Sequence, residues 1–297
     1  MTVFACVALW SAYQLAGFGG RYVQTRRLEA RLSALHSAEV QAEDAQTAEP
    51  AQTPEPTPVE TENPTQAPAA EPTAAPAKDA VKSTVYHAMG GKPLAQMETL
   101  HAQNHDLVAW ISIDNVLDLP VVYRNNSYYL THDFNKNKST AGTIFLDENH
   151  PMTERTQNLL LHGHNMKDGT MFGRLAQYEK SIDYLKAHPF VDFSTLWHQE
   201  RYVIFAVVNV SLDTSSGNFL DYFAHPRFSS DAEFASYIRR AELASMYAIP
   251  MDVKPSDALL TLSTCLDENR LVVIARRQRD GESKASLRET VNMAVRQ

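Results

Sequence analysis

Residues 261–277 read TLSTCLDENRLVVIARR. One apolar run, DALLTLSTC, ends on Cys265, and a second, RLVVIARR, begins at Arg270. Both are rich in branched aliphatic residues, so each reads as a strand. Four residues, LDEN, lie between the cysteine and the arginine. If 266–269 form a tight turn, Cys265 and Arg270 face each other across neighbouring strands. A thiol then stands at the lip of a sheet beside a permanent cation.

Further strand-like runs lie upstream, at 107–113, 119–123, 142–147, 158–162 and 201–210, with 258–264 and 270–277 completing the set. Turn-forming residues separate them. PLAQMETLHAQNHDLVAWISI reads as an amphipathic helix running into the first strand. Residues 229–246 read as a helix capped by Ser230 or Asp231, with Phe234, Ile238 and Leu243 facing inward. Many short strands with a few helices at their edges imply a mainly β or α+β domain, a barrel and not a doubly wound sheet. There is no GxGxxG, no P-loop and no internal repeat.

The chain of 297 residues, 44% of them hydrophobic, is enough for one sizeable core with appendages. Its net charge of -8 leaves no electrostatic footprint for nucleic acid. Much of that charge is local, since residues 41–78 carry seven acids and one base. Two cysteines, Cys6 and Cys265, make no disulfide framework. A free cysteine is most often a small buried hydrophobe, and Cys265 has to be weighed against that.

MTVFACVALWSAYQLAGFGG carries no charge through Gly20, and RYVQTRRLEARL follows. At about 1.5 Å rise per residue, such a run just spans a bilayer core of ~30 Å. A cleaved signal peptide needs a basic n-region and a small-x-small site, and neither is present. The expectation is an uncleaved transmembrane anchor. The arginines that follow place the rest in the cytoplasm by the positive-inside rule. The next segment argues the other way. Residues 41–78 hold eight of the 15 prolines among Glu, Thr, Ala and Gln, the composition of a disordered or polyproline-like spacer. A spacer of this kind lifts a domain off a membrane. Between anchor and spacer, Leu28, Leu32 and Leu35 recur at helical spacing, a juxtamembrane helix or a short coiled-coil seam. The expected organisation is therefore an anchor over 1–20, a juxtamembrane helix over 21–43 and a spacer over 44–80. A globular domain over 81–280 and a tail over 281–297 complete it.

A cysteine attacks as thiolate, and the ordinary thiol pKa of about 8.5 leaves a minor fraction ionised at neutral pH. It needs a base or a cation nearby. LLLHGHNMKDGTMFGRL, residues 159–175, ends an apolar run on His162 and His164. Three readings stand. An HxH pair can bind a metal, yet no further ligands stand at a familiar spacing. Both histidines can be plain polar residues at a strand end. Or one pairs with Cys265, with Arg270 to hold a developing oxyanion.

At these residues the chain resembles the class B sortases. TLSTC with Arg270 and LVVIARR, HGHNMKDGTMFGRL, DLVAWISIDNVLDLPVVY and YYLTHDFNKNKSTAGTIFLD all fit that family in order, over roughly 84–280. The resemblance implies a membrane-anchored cysteine transpeptidase outside a Gram-positive cell. Its fold is a closed β-barrel with an N-terminal helical piece, here ~84–106, and a helix before the last two strands, here 229–246. It implies a cut after the threonine of a sorting signal, NPxTx- or LPxTG-like, through a Cys thioester. An amine on a cell-wall precursor or a pilin then releases the acyl group. Cys265 matches the nucleophile, His164 the general acid/base and Arg270 the oxyanion arginine. Asn126 matches a signal-contacting position. Ser215, Phe219 and Leu220 match a pocket wall, and Ser263 and Thr264 flank the nucleophile. No metal or organic cofactor is implied.

Two departures stand out. His162 occupies a position that is usually aromatic, and the Cys-to-Arg loop is short. Competing readings are an L,D-transpeptidase, whose Ser-His-Gly-Cys type of motif is not matched by LSTC, a cytoplasmic thiol protein, and a catalytically silent module that holds sorting signals or wall polymers.

Overall fold

In the computed structural model, which describes residues 20, 22–38, 94–151, 155–224 and 226–297, the apolar runs close into a barrel. A helix over 22–38, α1, comes first. Then follow α2 (Ala95–Gln103), β1 (Leu107–Ile113), β2 (Leu117–Tyr123), β3 (Ile144–Leu146) and β4 (Asn158–His162). Two short helices, α3 (Ala176–Lys180) and α4 (Ile182–Ala187), lead to β5 (Phe190–Thr195) and the long β6 (Gln199–Val210). The remainder is α5 (Asp231–Ala244), β7 (Tyr247–Ala248), β8 (Leu259–Leu266), β9 (Asn269–Arg277), α6 (Lys284–Asn292) and β10 (Val295–Arg296).

The barrel order is β1-β2-β3-β4-β8-β9-β6-β5, and β5 pairs back on β1 to close it. Pairs β2–β3 and β4–β8 are parallel, the others antiparallel. Closure leaves the barrel no free edge. The inner faces of β6, β8 and β9 fill it with residues such as Val207, Leu262 and Val273, which lie level in the register and are each fully buried. A second apolar cluster lies outside the β1–β2 wall, built from Trp110, Val122, Tyr129 and Phe134 with Met97 and Leu100 of α2 and Leu32 of α1.

Helix α5 starts where Ser230 accepts the Glu233 N–H, so Ser230 is the cap. It buries Phe234, Tyr237, Ile238 and Ala241. Leu243, expected inward, is 74% exposed. At about 100° per residue, nine steps from Phe234 put it on the opposite face. Residues 281–297, expected as a tail, carry α6, whose Leu287 and Val291 are buried, and β10, which pairs with β7.

The expected anchor over 1–20, the spacer over 44–80 and the start of the helical piece at 84 fall, apart from Gly20, outside the described residues. No helix of the described residues is long and apolar enough to cross a membrane.

Candidate active site

Cys265 is the one exposed residue of β8, whose other seven positions are buried. Its neighbour Arg270 stands directly opposite in the antiparallel register of β8 and β9. The connection is a two-residue turn, Asp267–Glu268, entered through Asp267 at φ +50°. Asp is among the few residues that accept this left-handed conformation readily. Directly opposed residues share a face, so the thiol and the guanidinium project together. Arg270 is half-buried, and Nη1 donates only to the Asn269 carbonyl at 3.2 Å. Among the described residues no carboxylate pairs with it, which leaves its fork available to a ligand.

The histidine approaches from the other side. In the parallel register of β4 and β8, His162 lies level with Ser263. Two residues further, His164 comes level with Cys265. The chain keeps that alignment past the end of β4, because Gly163 N–H donates to the Ser263 carbonyl at 3.3 Å and Asn165 Nδ2 to the Cys265 carbonyl at 2.7 Å. Thr264 Oγ1 donates to the Gly163 carbonyl at 2.7 Å and ties the same two segments. His164, Cys265 and Arg270 thus form a row across three neighbouring strand lines, spaced about 4.8 Å apart.

His164 is held by the Leu130 carbonyl, 2.8 Å from Nε2. A carbonyl only accepts, so Nε2 carries a proton and the neutral ring keeps Nδ1 as its base. His162 is engaged elsewhere. Its Nε2 donates to Asp147 Oδ2 at 2.9 Å, and its ring stacks on the half-exposed Phe223 at 5.8 Å. Asp147 also accepts from Asn126 Nδ2 and from the backbone N–H of Asn149, both at 2.9 Å. Burial alone would raise the Asp147 carboxyl, but the hydrogen bonds from His162, Asn149 and Asn126 outweigh it and hold the group at about 2.

The remaining expected contacts fall into two groups. Ser215 is exposed and bonds Asp213 through Oγ at 2.7 Å, in a local turn. Phe219 is half-buried nearby. Leu220, Ser263 and Thr264 are 1%, 3% and 2% exposed, so they support the site from inside. Ser263 shares a 2.9 Å hydrogen bond with the Tyr222 hydroxyl. Burial pushes that phenol up to about 12, against the nearby Arg270 charge, so it stays protonated. Tyr222, Asp147 and the Leu130 carbonyl were not read from the sequence. The first two carry no motif of their own, and a backbone acceptor has no sequence signal. Among the described residues no cluster of three or more His, Cys, Asp or Glu side chains could hold a metal.

The sequence and the fold have known relatives. The family profile of the sortase domain matches residues 112–278. Sortase B of Listeria monocytogenes is 32% identical over 190 residues, 63% of this chain and 72% of that one. Sortase B of Staphylococcus aureus is 28% identical over 188 residues, 61% and 74% of the two chains. The crystal structure of sortase B from Bacillus anthracis in complex with AAEK2 superposes with a TM-score of 0.58 at 28% identity. That match covers 67% of this chain and 94% of that one.

Proposed function

The chain belongs to the sortase family of cysteine transpeptidases, in its class B branch, and from that premise we propose that Cys265, His164 and Arg270 carry out the transfer. The observation that supports this most is the row His164–Cys265–Arg270 across β4, β8 and β9, with the thiol exposed.

The Cys265 thiol gives its proton to His164 Nδ1, and the thiolate attacks the carbonyl carbon of the signal's threonine. Arg270 holds the oxyanion that forms, and as a permanent cation it needs no proton of its own. The threonine C–N bond breaks, and the leaving amine takes a proton from His164. The result is a thioester, which splits one hard amide exchange into two easier steps. The acceptor amine attacks that thioester, gives its proton to His164 and releases the thiolate. The Leu130 carbonyl keeps the imidazole in one orientation through both steps.

The signal is an NPxTx- or LPxTG-like peptide on a surface protein, and the acceptor is an amine of a cell-wall precursor or a pilin. Residues 1–20 anchor the chain in the cell membrane as a single pass, with the catalytic domain outside. The uncharged run to Gly20 and the Pro-rich segment after it support this arrangement. Asn126, beside Asp147, contacts the signal, and Phe219 lines its pocket.

The test incubates the full chain in detergent with a set of pentapeptide signals and a short amine, and follows products by mass spectrometry. A threonine-ended acyl product joined to the amine, absent in Cys265→Ala, is expected. A chain that binds signals but never cuts them would instead be a silent binding module.

A further inference from the structure

The helix α1 belongs by sequence to the segment before the Pro-rich stretch, yet it lies on the barrel wall. Leu32 is 3% exposed within the cluster that holds Tyr129 and Phe134, and Leu28 and Leu35 pack against its rim. At one end of the helix, Ser33 Oγ donates to Asp118, whose other oxygen takes the Trp110 indole N–H at 2.6 Å. His36 stacks flat on Trp110 at 4.4 Å. At the other end, Arg26 Nη2 donates to the Asp168 carbonyl at 3.2 Å, and Glu29, 3.6 Å from Arg26 Nη1, lies beside Met171.

The Ser33 and His36 contacts fall on β2 and β1, while the Leu32 and Arg26 contacts reach the two backbone stretches that hold His164. The first runs from Tyr128 to Thr143. Its Leu130 carbonyl accepts from the imidazole, and its Thr143 N–H donates to the Tyr129 carbonyl at 2.9 Å. The second runs from Asn165 to Phe172, where the Phe172 N–H takes the His164 carbonyl at 3.0 Å and Asn165 bridges Met171. Leu32 presses on the first stretch through Tyr129 and Phe134, while Arg26, paired with Glu29, clips the second at Asp168. A space of about 540 Å³ lies between α1 and residues 131–144, so the helix is a strut on two lines of contact and not a close-packed layer.

We propose that α1 is a positioning element of the catalytic centre, fixing His164 through the two segments that carry it. This rests on the transpeptidase reading above. Leu35 and Leu94, on either side of the stretch 39–93, pack against the same cluster. The two ends of that stretch are therefore held together at the barrel, and a pull on the chain before α1 reaches α1 first. A catalytic group must sit within about 0.5 Å of its working position, and a shift of about 1 Å costs roughly 100-fold in rate. Undocking α1 therefore acts on the proton-transfer step.

The test uses the full chain in detergent and compares Leu32→Asp with the conservative Leu32→Met. Arg26→Ala combined with Glu29→Gln serves as a second variant should the aspartate fail to fold. For Leu32→Asp the expected result is a kcat at least about ten-fold lower with KM within about two-fold, and a displaced pH profile of kcat. Leu32→Met restores both. Amide exchange should rise in 128–143 and 165–172 while β6 and β9 keep their protection. A lower melting temperature with kcat, its pH profile and that exchange unchanged would overturn the proposal, because α1 would then be packing only. If the parent chain transfers no acyl group to any amine, the enzymatic reading fails, and the exchange measurement alone decides whether α1 braces the histidine segments.

Discussion

His150 makes the structure sensitive to mild acid. It is 4% exposed, and its ring bridges two fixed groups. The Leu160 N–H donates to Nε2 at 2.9 Å, so Nε2 must be unprotonated. Nδ1 then donates to Thr156 Oγ1 at 2.7 Å, and that hydroxyl donates to the Asn158 carbonyl. Burial is the largest influence and pulls the imidazole from 6.5 down to about 4. The Asp147 charge resists this and the His162 charge adds to it. A histidine with a depressed folded pKa binds its proton more readily when unfolded. Its contribution is therefore full above the unfolded value and is lost as pH falls from about 6.5 towards 4. Between pH 7 and pH 4.5 the two pKa values give a loss of about 2 kcal/mol. For a domain of this size that is roughly 4–8 °C in melting temperature. Carboxylates also titrate in this range, so the measurement is a difference. His150→Gln keeps an acceptor for Leu160 and removes the titration. Urea unfolding of both chains at pH 7 and pH 4.5 should show the parent losing about 2 kcal/mol more than the variant. Equal losses would refute the reasoning, because the buried imidazole would then not be held neutral.

Two other substitutions have defined outcomes. Arg276 is 1% exposed and meets Glu282 through two 2.7 Å hydrogen bonds, so Glu282→Gln strands a buried cation and should cost about 2–4 kcal/mol in denaturant unfolding. At Gly142, with φ +64°, a Cβ would sit 2.3 Å from the Tyr129 carbonyl oxygen. Gly142→Ala should cost about 1–2 kcal/mol from the left-handed backbone alone. It should also lower kcat by displacing Leu130, so unchanged turnover would separate that carbonyl from catalysis.

What the sequence disclosed follows from which signals are local. Strands β1 and β4 coincide with the apolar runs 107–113 and 158–162, because turn residues bound both runs sharply. The pairing of Cys265 with Arg270 was legible because a loop of four residues leaves a tight turn as the simplest connection. Strand β5 was missed although Pro189 marks its start, because FVDFST mixes Phe190, Val191 and Phe193 with Asp192, Ser194 and Thr195 and makes no continuous apolar run. Leu243 misled because an apolar residue near a helix end fits a stripe only if the angle is counted. Of the two histidines, position alone could not assign the roles. The structure separates them by partner, Asp147 for His162 and the Leu130 carbonyl for His164. The docking of α1 was invisible because its partners, Trp110, Asp118 and Asp168, lie far along the chain.

The central claim is that Cys265 takes the acyl group, and intact mass spectrometry of the chain tests it most directly. The protein is mixed with excess signal peptide and no amine, then quenched in acid. The account predicts a single added mass equal to the peptide up to its threonine. The adduct should map to Cys265, be absent in Cys265→Ala, and be discharged on addition of an amine. A folded chain that gives no adduct with any signal, or whose amine transfer persists in Cys265→Ala, would contradict it.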